Sequence, residues 1–196
     1  MNWRENGNRH PDPVEMKRLF DESVYYSLHL CGEFAGKALV GDFDNLHKSL
    51  GKHIACFKRM QLNVVGRKQK EKYLLAVPSE NIKQIIIQTC DVDHMQMYDA
   101  LSLKSNVNCA PLFDISGGRG RYEPISENMF LCDVPYIGIA GGITPDNCVT
   151  VVDDIIKYDF MEREFWIDME TGVRDNQDRF STDACYEVCK NLRNYI

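Results

Sequence analysis

The 196-residue sequence predicts an α/β fold, a β/α barrel of the TIM type abbreviated to about six recognisable β/α units. Three observations predict it. Short apolar or β-branched runs recur along the chain with starts roughly 25–35 residues apart, the size of one strand-plus-helix unit. Helical spacing fills the stretches between them, so the runs read as parallel strands buried on both faces. The last three runs end in loops that combine glycine with ionisable residues, where a barrel opens its active-site mouth. An open doubly wound sheet is the alternative. No Gly-x-Gly-x-x-Gly follows an early strand, however, and Gly117-Gly118-Arg119-Gly120 lacks that spacing.

The elements follow in order. Residues 1–13 form an irregular segment with at most a strand remnant at 2–4. Pro13 opens a helix behind Asp12 as N-cap, carrying Val14, Leu19 and Phe20. The first strand is 26–30, followed by helices over 32–40 and 44–57. The second strand is 60–65. Ser79-Glu80-Asn81 starts a short helix or a loop leading to the third strand, 85–88. A helix over 93–103 turns Met95, Met97, Tyr98 and Leu101 inward. The fourth and fifth strands are 112–115 and 136–140. Thr144 then caps a helix with Pro145 at its first position. Val149, Val151, Val152, Ile155 and Ile156 supply its apolar face. A sixth strand over 165–169 and a helix over 182–192 close a single domain, 1–196.

Composition bounds the function. Hydrophobic residues make up 44% and charged residues 27%, the mix of a soluble globular chain. No apolar run approaches the ~18–20 residues a spanning helix needs, and the first ten residues have no apolar core of a secretory signal. A net charge of −6 and a pI near 5.4 argue against duplex nucleic acid or a membrane surface as partner. A small anionic ligand remains compatible, because a local site overrides net charge. The eight cysteines (Cys31, Cys56, Cys90, Cys109, Cys132, Cys148, Cys185 and Cys189) contain no Cys-x-x-Cys pair. They read as reduced thiols of a cytoplasmic protein, most of them small buried hydrophobes, with Cys185 and Cys189 on one helix face. No metal and no cofactor is implied.

Chemistry concentrates at strand ends. In Leu112-Phe113-Asp114-Ile115-Ser116-Gly117-Gly118-Arg119-Gly120, an apolar strand ends in an aspartate. Asp114 either acts as general acid or base, or caps its loop or pairs with Arg119. Gly141 and Gly142 sit between a strand and a helix N-terminus, either as a phosphate cradle or as a turn that needs φ > 0. Glu170, Thr171, Gly172 and Arg174 line the loop after the last strand, the usual phosphate site of this fold. Glu170 is repulsive there unless Arg174 offsets it. Earlier in the chain, His29 and Cys31 alternate with apolar residues, so both point to one side. Turned inward, they form a base or nucleophile pair. Gln61, Asn63 and Gln88 are uncharged amides suited to a base or sugar. Asp91, Asp93 and His94 read as a solvated helix start.

With these motifs the chain resembles phosphoribosylanthranilate isomerase, a β/α-barrel enzyme of tryptophan synthesis, over residues 60–191. That family carries an Asp followed by a Gly-Gly-x-Gly loop, matched by Asp114, Gly117, Gly118 and Gly120. Its Ala-Gly-Gly-Leu-x-Pro-x-Asn-Val stretch is matched by residues 140–148, and its Asp-Val-Ser-Ser-Gly-Val-Glu stretch in outline by residues 168–174. Gln61-Leu62-Asn63 is similar to its Gln-Leu-His. The resemblance implies Asp114 as general acid and Gly141 and Gly142 as phosphate binders. It implies Cys31 as general base in chemistry only, because the family's Lys-x-Cys-Gly lies on the first strand and Cys31-Gly32 counts to the third. Glu170-Thr171 replaces Ser-Ser, and Arg174 replaces the closing Glu. The chain also resembles a broader group of isomerase-like barrels bearing His-Leu-Cys-Gly and Asp-Met-Glu-x-Gly-Val-Arg.

Two functions follow as expectations. One is isomerase-type acid–base chemistry on a phosphorylated sugar or nucleotide-like molecule, with Asp114 as acid and Cys31 or His29 as base. The other is a non-catalytic barrel that binds or sequesters a nucleotide through the amides with Arg119, Arg121 and Arg174. The strand count leaves the first one or two β/α units missing, so either the barrel is genuinely abbreviated or the chain starts inside a longer parent. It predicts that the exposed strand edges are covered by the N-terminal segment or by a second copy in a homo-oligomer.

Overall fold

The computed structural model describes residues 26–63, 77–89, 95–96, 98–99, 102–103, 107–117, 119–125, 134–159 and 163–195. The expected N-terminal segment, the helix at Pro13, the Asp91–Asp93–His94 cluster and Gly118 lie outside them. Within each of two units, strands alternate with helices and pair in parallel with chain neighbours, in an abbreviated α/β fold of the TIM-barrel type. The chain divides into two compact units between Pro111 and Leu112.

The first unit pairs β1 (Tyr26–Cys31), β2 (Phe57–Asn63) and β3 (Gln84–Thr89). Alternation divides the sheet into two faces. Leu28 and Leu30, Met60 and Leu62, and Ile85 and Ile87 share one face, and all six are at most 1% exposed. Helix α1 (Gly32–Leu39) packs on β1 and β2 and buries Ala35, Ala38 and Leu39. Full burial of each large aliphatic side chain stabilises by about 1.5–3 kcal/mol. The opposite face carries Ser27, His29, Cys31, Arg59, Gln61, Asn63, Gln84 and Gln88. The first strand therefore matches its expected run within one residue.

The expected helix over 44–57 is two elements. Helix α2 (Asp44–Leu50) ends where Gly51 takes φ 55°, and a 3-10 helix covers Gly51–Cys56. Strand β2 then starts at Phe57, three residues earlier than expected, because the charged pair Lys58–Arg59 masks its opening. Residues 79–81 form a turn, with Asn81 Nδ2 donating to the Ala55 carbonyl at 2.9 Å. The described residues among 95–102 are helical, and Tyr98 is buried as expected.

Strand β4 (Asn108–Asp114) carries the boundary between the units and runs four residues further back than expected. Pro111 hides that extension: proline lacks the ladder N–H and argues against a strand interior. In the second unit, β4 pairs with β5 (Tyr136–Ala140), and β5 with β6 (Glu164–Asp168). Helix α3 (Cys148–Tyr158) follows β5 and buries Cys148, Val151, Val152 and Ile155. Ile156 instead is 56% exposed, because it lies off that stripe. Helix α4 (Thr182–Leu192) packs against α3. Ser181 caps α4, its Oγ accepting from Ala184 N at 3.2 Å.

The described cysteines Cys31, Cys56, Cys109, Cys148, Cys185 and Cys189 are free thiols, and only Cys148 is fully buried. The expectation that most are buried fails for strand-end and helix-surface positions. No helix of the described residues is long and apolar enough to cross a membrane.

Candidate active site

Asp114 ends β4 and is 9% exposed. Its Oδ1 accepts from Ser116 N at 3.0 Å and from Ser116 Oγ at 2.7 Å. Ser116 Oγ in turn accepts from Gly120 N at 3.1 Å, and Gly117 N donates to the Asp114 carbonyl at 3.0 Å. A carboxylate thus organises the glycine loop, as the capping alternative expects. Arg119 is not its partner. Glu123 pairs with both Arg119 (3.5 Å) and Arg121 (3.0 Å), so these basic side chains are held within their own loop.

Gly141 and Gly142 follow β5 at φ 108° and 67°. A Cβ on Gly141 would lie 2.8 Å from Asp114 Oδ1 and 2.6 Å from Ser116 N, and one on Gly142 would strike the Arg121–Tyr122 backbone. The two glycines therefore let the loops after β4 and β5 approach backbone to backbone. Tyr122 pins the same contact by donating from its hydroxyl to Asp154 Oδ2 on α3 at 2.9 Å. Burial and that carboxylate push its phenol pKa up to about 12. We expect Gly142→Ala to destabilise the fold by about 2–4 kcal/mol, the sum of a left-handed backbone and an overpacked contact. An unchanged Tm would refute that packing.

Beyond the glycines, Thr144 N donates to Asn147 Oδ1 at 2.8 Å, and Asn147 Nδ2 donates to the Gly142 carbonyl at 3.0 Å. Regular α3 geometry begins at Cys148, three residues past the expected first position at Pro145. The side chain of Asn147 shapes the preceding turn.

Asp168 ends β6. Both it and Asp114 register against Ala140, on either side of β5. Register partners in a parallel sheet share a face, so the two carboxyls point to the same side. Burial, then the charges of Glu170 and Asp114, raise the Asp168 pKa. The Asp168 carboxyl is thus neutral over a wider range than an ordinary aspartate. Its native pKa lies above its unfolded one, so its contribution to stability is full in acid and is lost as pH rises through the native value. Asp168→Asn should therefore raise Tm at neutral pH, with the gain vanishing below about pH 4. A gain that grows in acid would contradict the sign.

The last loop balances its own charge. Arg174 lies 3.8 Å from Glu170 and 3.7 Å from Asp178 by ion pairing, and its Nη1 donates to the Asp178 carbonyl at 2.9 Å. Thr171, Gly172 and Val173 form a 3-10 turn, with Gly172 backed against the Ile143 carbonyl. Arg174 thus pairs with Glu170 and offsets its charge.

In the first unit, His29, Cys31, Gln61, Asn63 and Gln88 fall on one face. Cys31 Sγ lies 3.4 Å from His29 Nε2, and Gln61 Nε2 lies 3.4 Å from the same nitrogen. Gln61 is 6% exposed, His29 is exposed and Cys31 is half-buried.

Sequence reasoning missed the roles of Ser116 and Asp168. Ser116 sits two residues beyond Asp114, the spacing of a side chain bonding its neighbouring backbone. Asp168 ends its strand as Asp114 does, and that parallel was the available signal.

Comparison with curated proteins and with solved structures found no match. Residues 16–177 match the family described as N-(5'phosphoribosyl)anthranilate (PRA) isomerase. That span takes in the Asp114 loop, the Gly141–Gly142 turn and the strand end at Asp168, and through them the chain belongs to the phosphoribosylanthranilate isomerase family.

Proposed function

We propose that the chain carries out isomerase-type proton transfer on a phosphorylated sugar or nucleotide-like small molecule, with Asp114 as general acid. The observation that supports this reading is the placement of Asp114 and Asp168 on one face, flanking Ala140, within a family of isomerases. Ser116 holds the Asp114 carboxyl in a fixed position by two hydrogen bonds, as a positioned proton donor requires. The phosphate goes to the Gly141–Gly142 turn ahead of α3, where a helix N-terminus favours an anion. Gly117, Thr171 and Gly172 complete the loops of that end. In the first unit, the His29–Cys31 pair is a separate candidate base, an imidazole beside a thiol, with Gln61, Asn63 and Gln88 as hydrogen-bonding amides of its own face.

A second reading, binding without turnover, is favoured by the last loop. Glu170 and Asp178 already neutralise Arg174, so that loop offers phosphate less positive charge. One experiment separates the two. The native protein is incubated with N-(5'-phosphoribosyl)anthranilate and with a panel of nucleotides and sugar phosphates, and the bound and free molecules are separated by liquid chromatography, which resolves isomers of equal mass, and identified by mass spectrometry. Conversion of a phosphorylated compound supports the isomerase reading. Retention of an unchanged nucleotide supports the binding reading. Neither binding nor conversion overturns both.

A further inference from the structure

The first unit brings a nucleophile, a base and a buried amide to one strand end. We propose that Cys31 is an activated thiol, held against the His29 imidazole and nucleophilic toward an electrophilic carbon, specifically the carbonyl of an open-chain aldehyde. The Cys31 Sγ to His29 Nε2 distance of 3.4 Å is within hydrogen-bonding range for sulfur. Period-2 alternation on β1 puts both side chains on the face away from the Leu28–Leu30 core, so the pairing is built into the strand.

Gln61 strengthens the case. It is 6% exposed, and its amide meets the same imidazole nitrogen from the neighbouring strand at 3.4 Å. Turned with its carbonyl to the ring, the amide accepts from the protonated Nε2 and so holds the imidazolium in place.

Cys31 also directly precedes α1, in extended backbone at φ −124° and ψ 163°. Its sulfur makes no capping bond to the helix amides and instead meets His29. The positive end of the helix dipole and an imidazolium both favour thiolate. Among charged neighbours on α1, Glu33 is paired with Lys37 at 2.7 Å, and Asn63, opposite Cys31 on β2, carries no charge. By contrast, Cys148 is fully buried, and burial raises the Cys185 thiol pKa.

The step balances without an oxidant. The thiol proton passes to His29 Nε2, and a sulfur lone pair forms a C–S bond to the carbonyl carbon. The C=O π pair moves to oxygen, which takes the proton back from the imidazolium to give a thiohemiacetal. Reversal regenerates aldehyde and thiol.

The inference is independent of the isomerase reading, because the thiol can be read without turnover. The full chain is alkylated with iodoacetamide near pH 6, and each cysteine is followed by peptide mass spectrometry. Cys31 should react about tenfold faster than the exposed Cys189, and His29→Gln should bring it down to the Cys189 rate. Glyceraldehyde should slow alkylation of Cys31 and leave Cys189 unchanged. Equal rates for Cys31 and Cys189 in the native protein, or a fast Cys31 in the His29→Gln variant, would overturn the activated thiol. Absence of protection by glyceraldehyde would overturn the carbonyl assignment.

Discussion

Replacing Asp114 by Asn should lower turnover by about 10²–10⁴-fold with little change in KM, the loss expected when a positioned general acid is removed. The substitution isolates the proton. Asn keeps an oxygen able to accept from Ser116 N and Ser116 Oγ, which bond Asp114 Oδ1 at 3.0 and 2.7 Å. The glycine loop should therefore keep its shape, and an unchanged Tm would verify that. Asp114→Ala, lacking the acceptor, should lose loop order as well as turnover. Steady-state kinetics on the compound identified by mass spectrometry provide the measurement. An Asp114→Asn variant with native turnover would remove Asp114 from the mechanism.

The largest stability effect is expected at Asp159 and Arg163. Their side chains are each 3% exposed. Arg163 Nε and Nη2 donate to Asp159 Oδ1 at 3.0 and 2.9 Å, and Arg163 N donates to Oδ2 at 3.0 Å. The pair joins the C-cap of α3 to the residue before β6. Removing one partner leaves an uncompensated buried charge, so Asp159→Ala should cost about 3–5 kcal/mol. At about 2–4 °C per kcal/mol, this lowers Tm by roughly 6–20 °C. Replacing both residues by apolar side chains of similar volume should recover much of the loss, because desolvation of the pair offsets most of its Coulombic gain. A single variant that melts with the native protein would show the pair to be dispensable.

Much of the strand layout is legible locally. Strand β5 matches its expected limits because Pro135 and Gly141 punctuate an uninterrupted apolar run. The His29–Cys31 and Gln61–Asn63 faces follow from period 2. Where local signals conflict, the boundaries shift. Pro111 and the Lys58–Arg59 pair conceal the openings of β4 and β2, because sheet pairing and burial outweigh their unfavourable propensity. The start of α3 moves because Asn147 bonds back to Thr144 and Gly142, a preference for turn over helix that its side chain creates.

By itself, the sequence determined the α/β class, the family resemblance and the residues that end each strand. These depend on periodicity and on glycine and proline, which act over a few residues. Tertiary structure alone decided which of those residues meet. Gly142 backs onto Arg121 and Tyr122, and Tyr122 bonds Asp154. Asp168 becomes a perturbed carboxyl because folding takes it out of water and brings it near the charges of Glu170 and Asp114. Hydrogen bonds, ion pairs and desolvation depend on distance in space. Residues far apart in sequence acquire those distances only when the strands pair.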